Sequence, residues 1–357
     1  MIINKAYCGR MKSRPFIIAG IAGALVLAGC SSASPEDSSD SAAADSTDAT
    51  LTVGSAFYPL QFVAERVGGE LVAVEPLIGS GVEPHDAELS PKTVRDMQNM
   101  DTVLFQSDFQ PAIDDAVDTT GVRSLDSHHI IDEHGADVAE HAEGSHEGHD
   151  HADDESGEDD HDHADESAEA EDAHSDEADS HDGHDHGSLD PHFWLDPTLL
   201  AEYTEDVIAE FSDLDPANAD TYAANGQQLL TDLDALDASY TDGLATCERD
   251  DIFVGHEAFG YLTLRYDLTQ EGLAGIDPES EPSPARVREI RDMVEASGAT
   301  TIFTEDEVSA DVAESIAEDV GVEVLVLSPI ETVADGEDYL GVMETNLENL
   351  RTGLGCQ

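Results

Sequence analysis

The chain has 357 residues and a formal net charge of -67, because 81 aspartates and glutamates accompany only 14 lysines and arginines. Nucleic acids and anionic membrane surfaces require a basic protein face, so the charge excludes both as expected partners. The length is sufficient for two lobes of ordinary size.

The N-terminal residues are typical of a lipoprotein signal. Basic residues precede an apolar run over 16–27, which is too short to span a membrane as a mature helix. Leu-Ala-Gly directly before Cys30 resembles the bacterial lipobox, in which cleavage leaves a lipid-modified cysteine at the new N-terminus. We predict a signal peptide over 1–29, a flexible tether over 30–49, and an exported protein that only its lipid anchors to the outer face of the cell membrane.

Strands and helices alternate over residues 50–215, which predicts an N-terminal lobe with a parallel sheet flanked by helices. Ligands of such sheets bind beyond the carboxyl ends of the strands. His85 lies in a glycine-containing loop that follows the second predicted strand, over 71–77. The sequence therefore indicates His85 as a candidate ligand.

A histidine- and acid-rich insertion is predicted within this lobe at 128–187. It contains every histidine of the chain except His85, His192 and His256. Its composition predicts a disordered segment that binds several metal ions loosely, the alternative being a solvated acidic loop without function. The expected low-affinity metal ligands are His146, His149, His151, His161, His163, His181, His184 and His186.

Two helices follow the insertion. His192 lies between two prolines beside the single tryptophan of the chain, Trp194, which favours a fixed side chain at the end of the insertion. Apolar residues at helical spacing then predict helices over 198–211 and 217–244. The second is long enough to join two lobes as a rigid strut, so we assign 216–245 as a linking helix.

Residues 246–357 again alternate between strands and helices and form the predicted C-terminal lobe. His256 and Glu331 each follow a predicted strand, as expected for ligands. Cys247 and Cys356 remain once the cysteines of the signal and the lipid anchor are assigned, and an exported compartment permits a disulfide between them.

Several motifs point to one family. They are Gly81–Asp86, the histidine-rich insertion, Asp190–Asp196, Gly255–Tyr261, Pro278–Ser283 and Leu327–Glu331. Together they closely resemble the zinc branch of the metal-specific solute-binding proteins of ABC importers, from about residue 50 to the end of the chain. The resemblance implies an α/β fold of two lobes, each a mostly parallel sheet flanked by helices, joined by one long rigid helix with a metal in the cleft.

The resemblance also implies the metal ligands. His85 and His192 match the ligands of the first lobe, and His256 matches the first ligand of the second lobe. Manganese-binding relatives typically have a carboxylate at that third position, so His256 favours zinc, which imidazole suits well. The fourth ligand is predicted to be Glu331.

Other carboxylates compete for the fourth position. Glu83 and Asp86 lie beside His85, and Glu305, Asp306 and Glu307 follow another predicted strand. The sequence leaves these alternatives open.

The implied function is extracytoplasmic capture of zinc and its delivery to the permease of an ABC importer, with Zn2+ as the transported ligand. A zinc buffer without a permease and a manganese-binding member of the family are the alternatives. A zinc enzyme is disfavoured, because His256-Glu257 is not followed by the second histidine of a His-Glu-x-x-His helix. We expect a monomer.

The predicted ligand set leads to a first testable expectation about selectivity. Because three imidazoles favour zinc over manganese, zinc should outcompete manganese at the tight site by orders of magnitude. A competition titration of the purified protein measures this, and equal or tighter manganese binding would remove the zinc assignment.

Overall fold

The computed structural model describes residues 49–146 and 189–357, apart from Ser80, Asp86, Glu279, Glu281, 306–309 and Asp335. The predicted signal peptide, Cys30 and the tether up to residue 48 lie outside the described residues, as does most of the histidine-rich insertion. None of the described helices is both long and apolar enough to cross a membrane.

The first lobe contains a four-stranded parallel sheet with the strand order β2-β1-β3-β4. The strands are β1 Leu51–Ser55, β2 Val72–Pro76, β3 Thr102–Phe105 and β4 Ser124–Asp126. The flanking helices are α1 Tyr58–Gly68, α2 Pro91–Met97 and α3 Pro111–Thr120. Val53 and Val103 are fully buried because the two central strands are covered by helices. All four strands are parallel, so their carboxyl ends lie along one edge of the sheet.

Helices α5 Pro197–Leu214 and α6 Ala219–Leu244 pack against each other between the lobes. The Asp196 side chain begins α5 by accepting a hydrogen bond from the backbone N–H of Thr198 at 2.8 Å. Leu229, Leu233 and Tyr240 form a buried stripe on α6 at the spacing of a helix. Because α6 has 26 residues, it is about 39 Å long and can contact both lobes.

In the second lobe, the described residues form two pairs of parallel strands rather than one continuous sheet. The pairs are β5 Asp251–Val254 with β6 Thr269–Gly272, and β7 Thr301–Thr304 with β8 Glu323–Val326, and β5 lies beside β7. The helices are α7 Gly260–Tyr266, α8 Pro284–Ser297, α9 Ala310–Val320 and α10 Tyr339–Leu354. The linking helix α6 contacts α1 of the first lobe and α10 of the second. The predicted fold class, α/β with two lobes, is confirmed.

The predicted start of the disordered insertion at residue 128 is wrong, because His128–His146 form helix α4. Ile130, Ile131 and Val138 are buried on this helix. α4 begins on the first lobe directly after β4 and contacts α7 and β6 of the second lobe. These apolar residues hold it there together with hydrogen bonds from His128 to the Ser107 backbone oxygen and from His141 to the Leu268 backbone oxygen, although the average composition of the segment is polar and charged.

A disulfide joins Cys247, just beyond α6, to Cys356, just beyond α10, across a sequence separation of 109 residues. Closing a loop of this length stabilises the fold by about 5 kcal/mol in the chain-entropy model. The disulfide therefore ties the end of the linking helix to the end of the chain.

The position of α4 leads to a prediction about two deletions. Replacement of 147–187 by a Gly-Ser linker of about 12 residues should leave the unfolding midpoint of the zinc-free protein near that of the parent, because α4 is retained. Deletion of 130–186 should lower the free energy of unfolding by several kcal/mol, since it removes buried apolar side chains worth about 1.5 to 3 kcal/mol each. Urea unfolding measures both, and equal stability of the two variants would contradict the role given to α4.

Candidate metal centre

The structure brings the four predicted ligand residues together. His85, His192, His256 and Glu331 each offer one ligand atom, and these atoms all lie within 4.8 Å of one another. Three of the residues are buried, and the His85 side chain is 12% exposed. In the part of the chain that the structure describes, this is the single group of three or more histidine, cysteine or acidic side chains that could hold a metal ion.

His85 is presented by the loop that follows β2 and leads to α2. The side chain of Gln110 holds this loop, because its Nε2 donates a hydrogen bond to the backbone oxygen of Pro84 at 3.1 Å. The ring of Phe109 packs against the imidazole edge to face, with the ring centroids 4.8 Å apart. The ring nitrogen Nε2 of His85 lies 3.0 Å from Oε1 of Glu331.

His192 is completely buried just before a 3-10 turn over Phe193–Leu195. Its backbone N–H and its ring Nδ1–H both donate to Oδ1 of Asp190, at 2.9 and 2.7 Å. The backbone oxygen of Pro191 accepts a hydrogen bond from Gln106, which ties the segment to the end of β3. Nε2 of His192 is thereby left to face Glu331 Oε1, at 2.8 Å.

His256 follows β5 and has 1% exposure. Its backbone N–H and its ring Nδ1–H donate to Oε1 of Glu305 at 2.9 and 2.5 Å. The other ring nitrogen, Nε2, is buried and has no hydrogen-bond partner among the described residues. A buried imidazole nitrogen with a free lone pair is the donor that zinc prefers.

Glu331 lies in the loop that leads from β8 to α10. Asn346 of α10 fixes this loop in both directions, since its Oδ1 accepts from the Ser328 N–H at 2.9 Å and its Nδ2 donates to the Ser328 oxygen at 2.7 Å. Ile330 has a φ of 60°, a left-handed conformation that is costly for a β-branched residue. The buried side chain of Ile330 and the clamp on Ser328 hold this strained turn, which directs the Glu331 carboxylate inward.

The charges of the centre depend on one another. Burial by itself lowers the pKa of His192, but the carboxylates of Asp190 and Glu331 outweigh it and raise that pKa to about 10. Burial likewise raises the pKa of Glu331, yet hydrogen bonds from His192 and His85 hold it well below its ordinary value. Burial and the neighbouring charge of Glu331 raise the pKa of Glu83 to about 7. Because a metal ligand must be deprotonated, an incoming cation replaces a proton on the ring of His192.

Three imidazole nitrogens and one carboxylate oxygen are a donor set that suits a tetrahedral zinc ion. With neutral imidazoles and an ionised Glu331, a divalent ion would leave one net positive charge in the centre. His85 and His192 come from the first lobe, and His256 and Glu331 come from the second. An ion at this position would therefore contact both lobes at once.

The described carboxylates that the sequence offered as alternatives to Glu331 lie outside the group of four converging ligand atoms. Glu305 lies behind His256 rather than among the four converging atoms. Glu83 accepts a hydrogen bond from the His85 backbone N–H at 3.2 Å and lines a cavity of about 790 Å³ beside Glu331. The remaining alternatives, Asp86, Asp306 and Glu307, lie outside the described residues.

Of the predicted low-affinity ligands, only His146 lies within the described residues. His146 is the last residue of α4. The others, His149, His151, His161, His163, His181, His184 and His186, lie outside the described residues, as does Cys30.

Sequence reasoning overlooked Asp190 as a partner of His192. The signal was present, because an aspartate side chain readily accepts a hydrogen bond from the backbone two residues further on. Asp190-Pro-His192 has this spacing, and the proline between them limits the number of conformations of the turn.

Comparisons with known proteins show similarity to zinc-binding and zinc-uptake proteins. The family model described as zinc-uptake complex component A, periplasmic, matches residues 53–353. Over 313 residues the chain is 29% identical to the zinc-binding lipoprotein AdcA of Streptococcus pneumoniae, with 85% of this chain and 56% of AdcA covered. The chain thus spans little more than half the length of that relative. Over 335 residues it is 29% identical to the high-affinity zinc uptake system protein ZnuA of Bacillus subtilis, covering 92% of this chain and 94% of ZnuA.

A solved structure shows the same fold. The crystal structure of the Zn(II)-bound ZnuA-like domain of Streptococcus pneumoniae AdcA superposes with a TM-score of 0.63 at 26% sequence identity. The match covers 85% of this chain and 99% of that domain.

The geometry predicts unequal contributions from the four ligands. Glu331→Ala should weaken zinc binding by about tenfold, or about 1.4 kcal/mol, because water can occupy the position of the carboxylate. His192→Ala or His256→Ala should cost much more, since each removes a buried nitrogen donor. Isothermal titration with a competing chelator measures these affinities in the protein with 147–187 replaced. If Glu331→Ala binds like the parent while Glu83→Ala or Asp86→Ala weakens binding, Glu331 is not the fourth ligand.

Proposed function

Since the chain belongs to the zinc-uptake complex component A family, we propose that it captures zinc outside the cytoplasm and delivers it to an ABC-type importer. Proteins of this family bind and transport zinc and are not enzymes. The observation that carries the proposal is the convergence of His85, His192, His256 and Glu331 from two lobes, within 4.8 Å.

The proposed zinc ligands are His85, His192, His256 and Glu331. Because they come from both lobes, separation of the lobes removes ligands from the ion, which suits a protein that must release its cargo. A catalytic zinc site instead keeps an open position for water or substrate. Four protein ligands converging on one position favour carriage of the ion over chemistry on a bound molecule.

The remainder of the chain serves the same role in this proposal. The histidine-rich segment that begins at the end of α4 collects zinc with low affinity, through His146 and the seven histidines beyond it named above. A signal peptide over 1–29 directs export, and lipid on Cys30 with a tether over 30–49 keeps the folded part near the permease. The protein acts as a monomer.

Two other functions make different predictions about cells. A zinc buffer without a permease would hold zinc outside the cytoplasm without raising its entry. A manganese-binding member of the family would raise manganese entry instead. Relatives named for zinc binding and zinc uptake support zinc rather than manganese as the cargo. Faster entry of zinc into the cytoplasm distinguishes delivery to an importer from a zinc buffer.

Metal uptake in cells that lack this protein tests the proposal. Restoring the parent protein should raise the cytoplasmic accumulation of radioactive zinc at low external zinc, while radioactive manganese stays unchanged. His256→Ala, which removes a ligand, should restore little, and Asp196→Asn, a buried change outside the centre, should restore uptake fully. Zinc retained on the envelope without faster entry would favour the buffer, and faster manganese entry would favour the manganese-binding alternative.

A further inference from the structure

We propose that Asp190 and Glu305 are positioning residues, one behind a ligand histidine of each lobe, and that they set how slowly zinc leaves the centre. The inference rests on the proposed function, because it concerns the same zinc site. It assigns the two carboxylates no direct contact with the ion.

The two carboxylates make the same pair of hydrogen bonds. In the first lobe, a single oxygen of Asp190 accepts from both the backbone N–H and the ring Nδ1–H of His192. In the second lobe, a single oxygen of Glu305 accepts from both the backbone N–H and the ring Nδ1–H of His256. One acceptor that holds backbone and ring together fixes the rotation of the imidazole and leaves Nε2 directed at the centre.

The same geometry arises from different parts of the sequence. Asp190 is two residues from its histidine, whereas Glu305 is 49 residues from its histidine and follows another strand. A local turn can explain the first contact but not the second. Both contacts orient a ligand histidine, so we infer that orienting His192 and His256 is the role of Asp190 and Glu305.

His85 provides an internal contrast. In the part of the chain that the structure describes, no carboxylate hydrogen-bonds to its Nδ1, and its ring is held by Phe109 and by Glu331. The imidazoles of His192 and His256 are each fixed by a carboxylate in the lobe that carries them. These two histidines keep their orientation whether or not an ion joins the lobes.

Close packing confines Asp190. Its second oxygen, Oδ2, is buried without a hydrogen-bond partner among the described residues. Gly260 at the start of α7 lies against this oxygen, and a Cβ atom at Gly260 would clash with Asp190 Oδ2 and with Val138 of α4. Gly260→Ala should therefore displace the Asp190 carboxylate without removing it.

A carboxylate that accepts the Nδ1 proton has two effects on a metal-bound histidine. It stabilises the tautomer whose Nε2 carries the lone pair, and it makes that nitrogen a stronger donor. Loss of such a partner typically weakens metal binding by about 10- to 100-fold. Both effects stabilise the zinc-bound protein, so they are expected to slow dissociation.

Zinc dissociation into excess chelator, followed by stopped flow, tests the inference on the full chain. Asp190→Asn and Glu305→Gln retain the shape of the side chain and an oxygen acceptor but remove the charge. Each should release zinc about 10- to 100-fold faster while still binding one tight zinc. Gly260→Ala should also release zinc faster than the parent protein. The dissociation rate is preferred to the affinity, because protons compete with zinc mainly in the zinc-free protein.

Two buried carboxylates away from the centre serve as matched controls. Asp196→Asn changes a residue that begins α5, and Glu271→Gln changes a residue paired with Arg286 at 3.2 Å. Both should release zinc at the parental rate. The visible absorption of the cobalt-loaded protein should shift in Asp190→Asn and Glu305→Gln and stay unchanged in the controls. A role of Asp190 and Glu305 in stability alone would leave this spectrum unchanged.

The outcomes separate this inference from the proposed function. If the parent protein binds no zinc tightly, the proposed function fails. If the parent binds one tight zinc and both Asp190→Asn and Glu305→Gln release it at the parental rate, the positioning role alone is overturned. Thermal unfolding of the zinc-free variants identifies any that fail to fold, and Gly260→Ala then provides an independent test of Asp190.

Discussion

Two buried hydrogen bonds of Trp194 join the two halves of the metal centre. Its indole Nε1–H donates to the backbone oxygen of Pro329 at 2.7 Å, and its own backbone oxygen accepts from the Tyr339 hydroxyl at 2.6 Å. These bonds join the segment that carries His192 to the loop and helix that flank Glu331. Trp194 and Tyr339 are completely buried, so water does not compete for either hydrogen bond. An indole and a phenol that are buried without such partners would be costly, which makes this arrangement of the two segments specific.

Much of the fold could be predicted because most of the described strands are short apolar runs bounded by turn residues. The exceptions, β4 and β6, are largely polar and were not predicted. The helix over Ala219–Leu244 was predicted from its stripe of leucines. α3 was not predicted, because only Ile113 and Ala116 of its ten residues are buried and its other positions are polar, small or partly exposed. α4 was missed for a related reason. Its buried residues are few, and the helix depends on contacts with α7, which no local pattern records.

The metal ligands of the candidate site could be predicted from the sequence. The carboxylates that hydrogen-bond to the ligand histidines were not predicted. Parallel strands bring their carboxyl ends to one edge, so each of His85, His256 and Glu331 could be expected at the ligand-binding edge of its own lobe. Their convergence across the two lobes was implied only by the resemblance to the zinc-binding family. The hydrogen bond from His256 to Glu305 could not be expected, since it joins the ends of two different strands whose spacing depends on how β5 lies beside β7. The sequence placed Glu305 among the competitors for zinc. It could not distinguish a carboxylate that binds an ion from one that binds the far side of a histidine ring.

The disulfide between Cys247 and Cys356 has a consequence for resistance to proteases. It makes nearly the whole second lobe a covalently closed ring, from the end of α6 to the last residues of the chain. A protease that cuts one peptide bond anywhere between these cysteines opens the ring but releases no fragment. The severed parts stay at a high effective concentration, and their strands and helices can remain packed. A single nick in this lobe therefore does not separate Glu331 from His256.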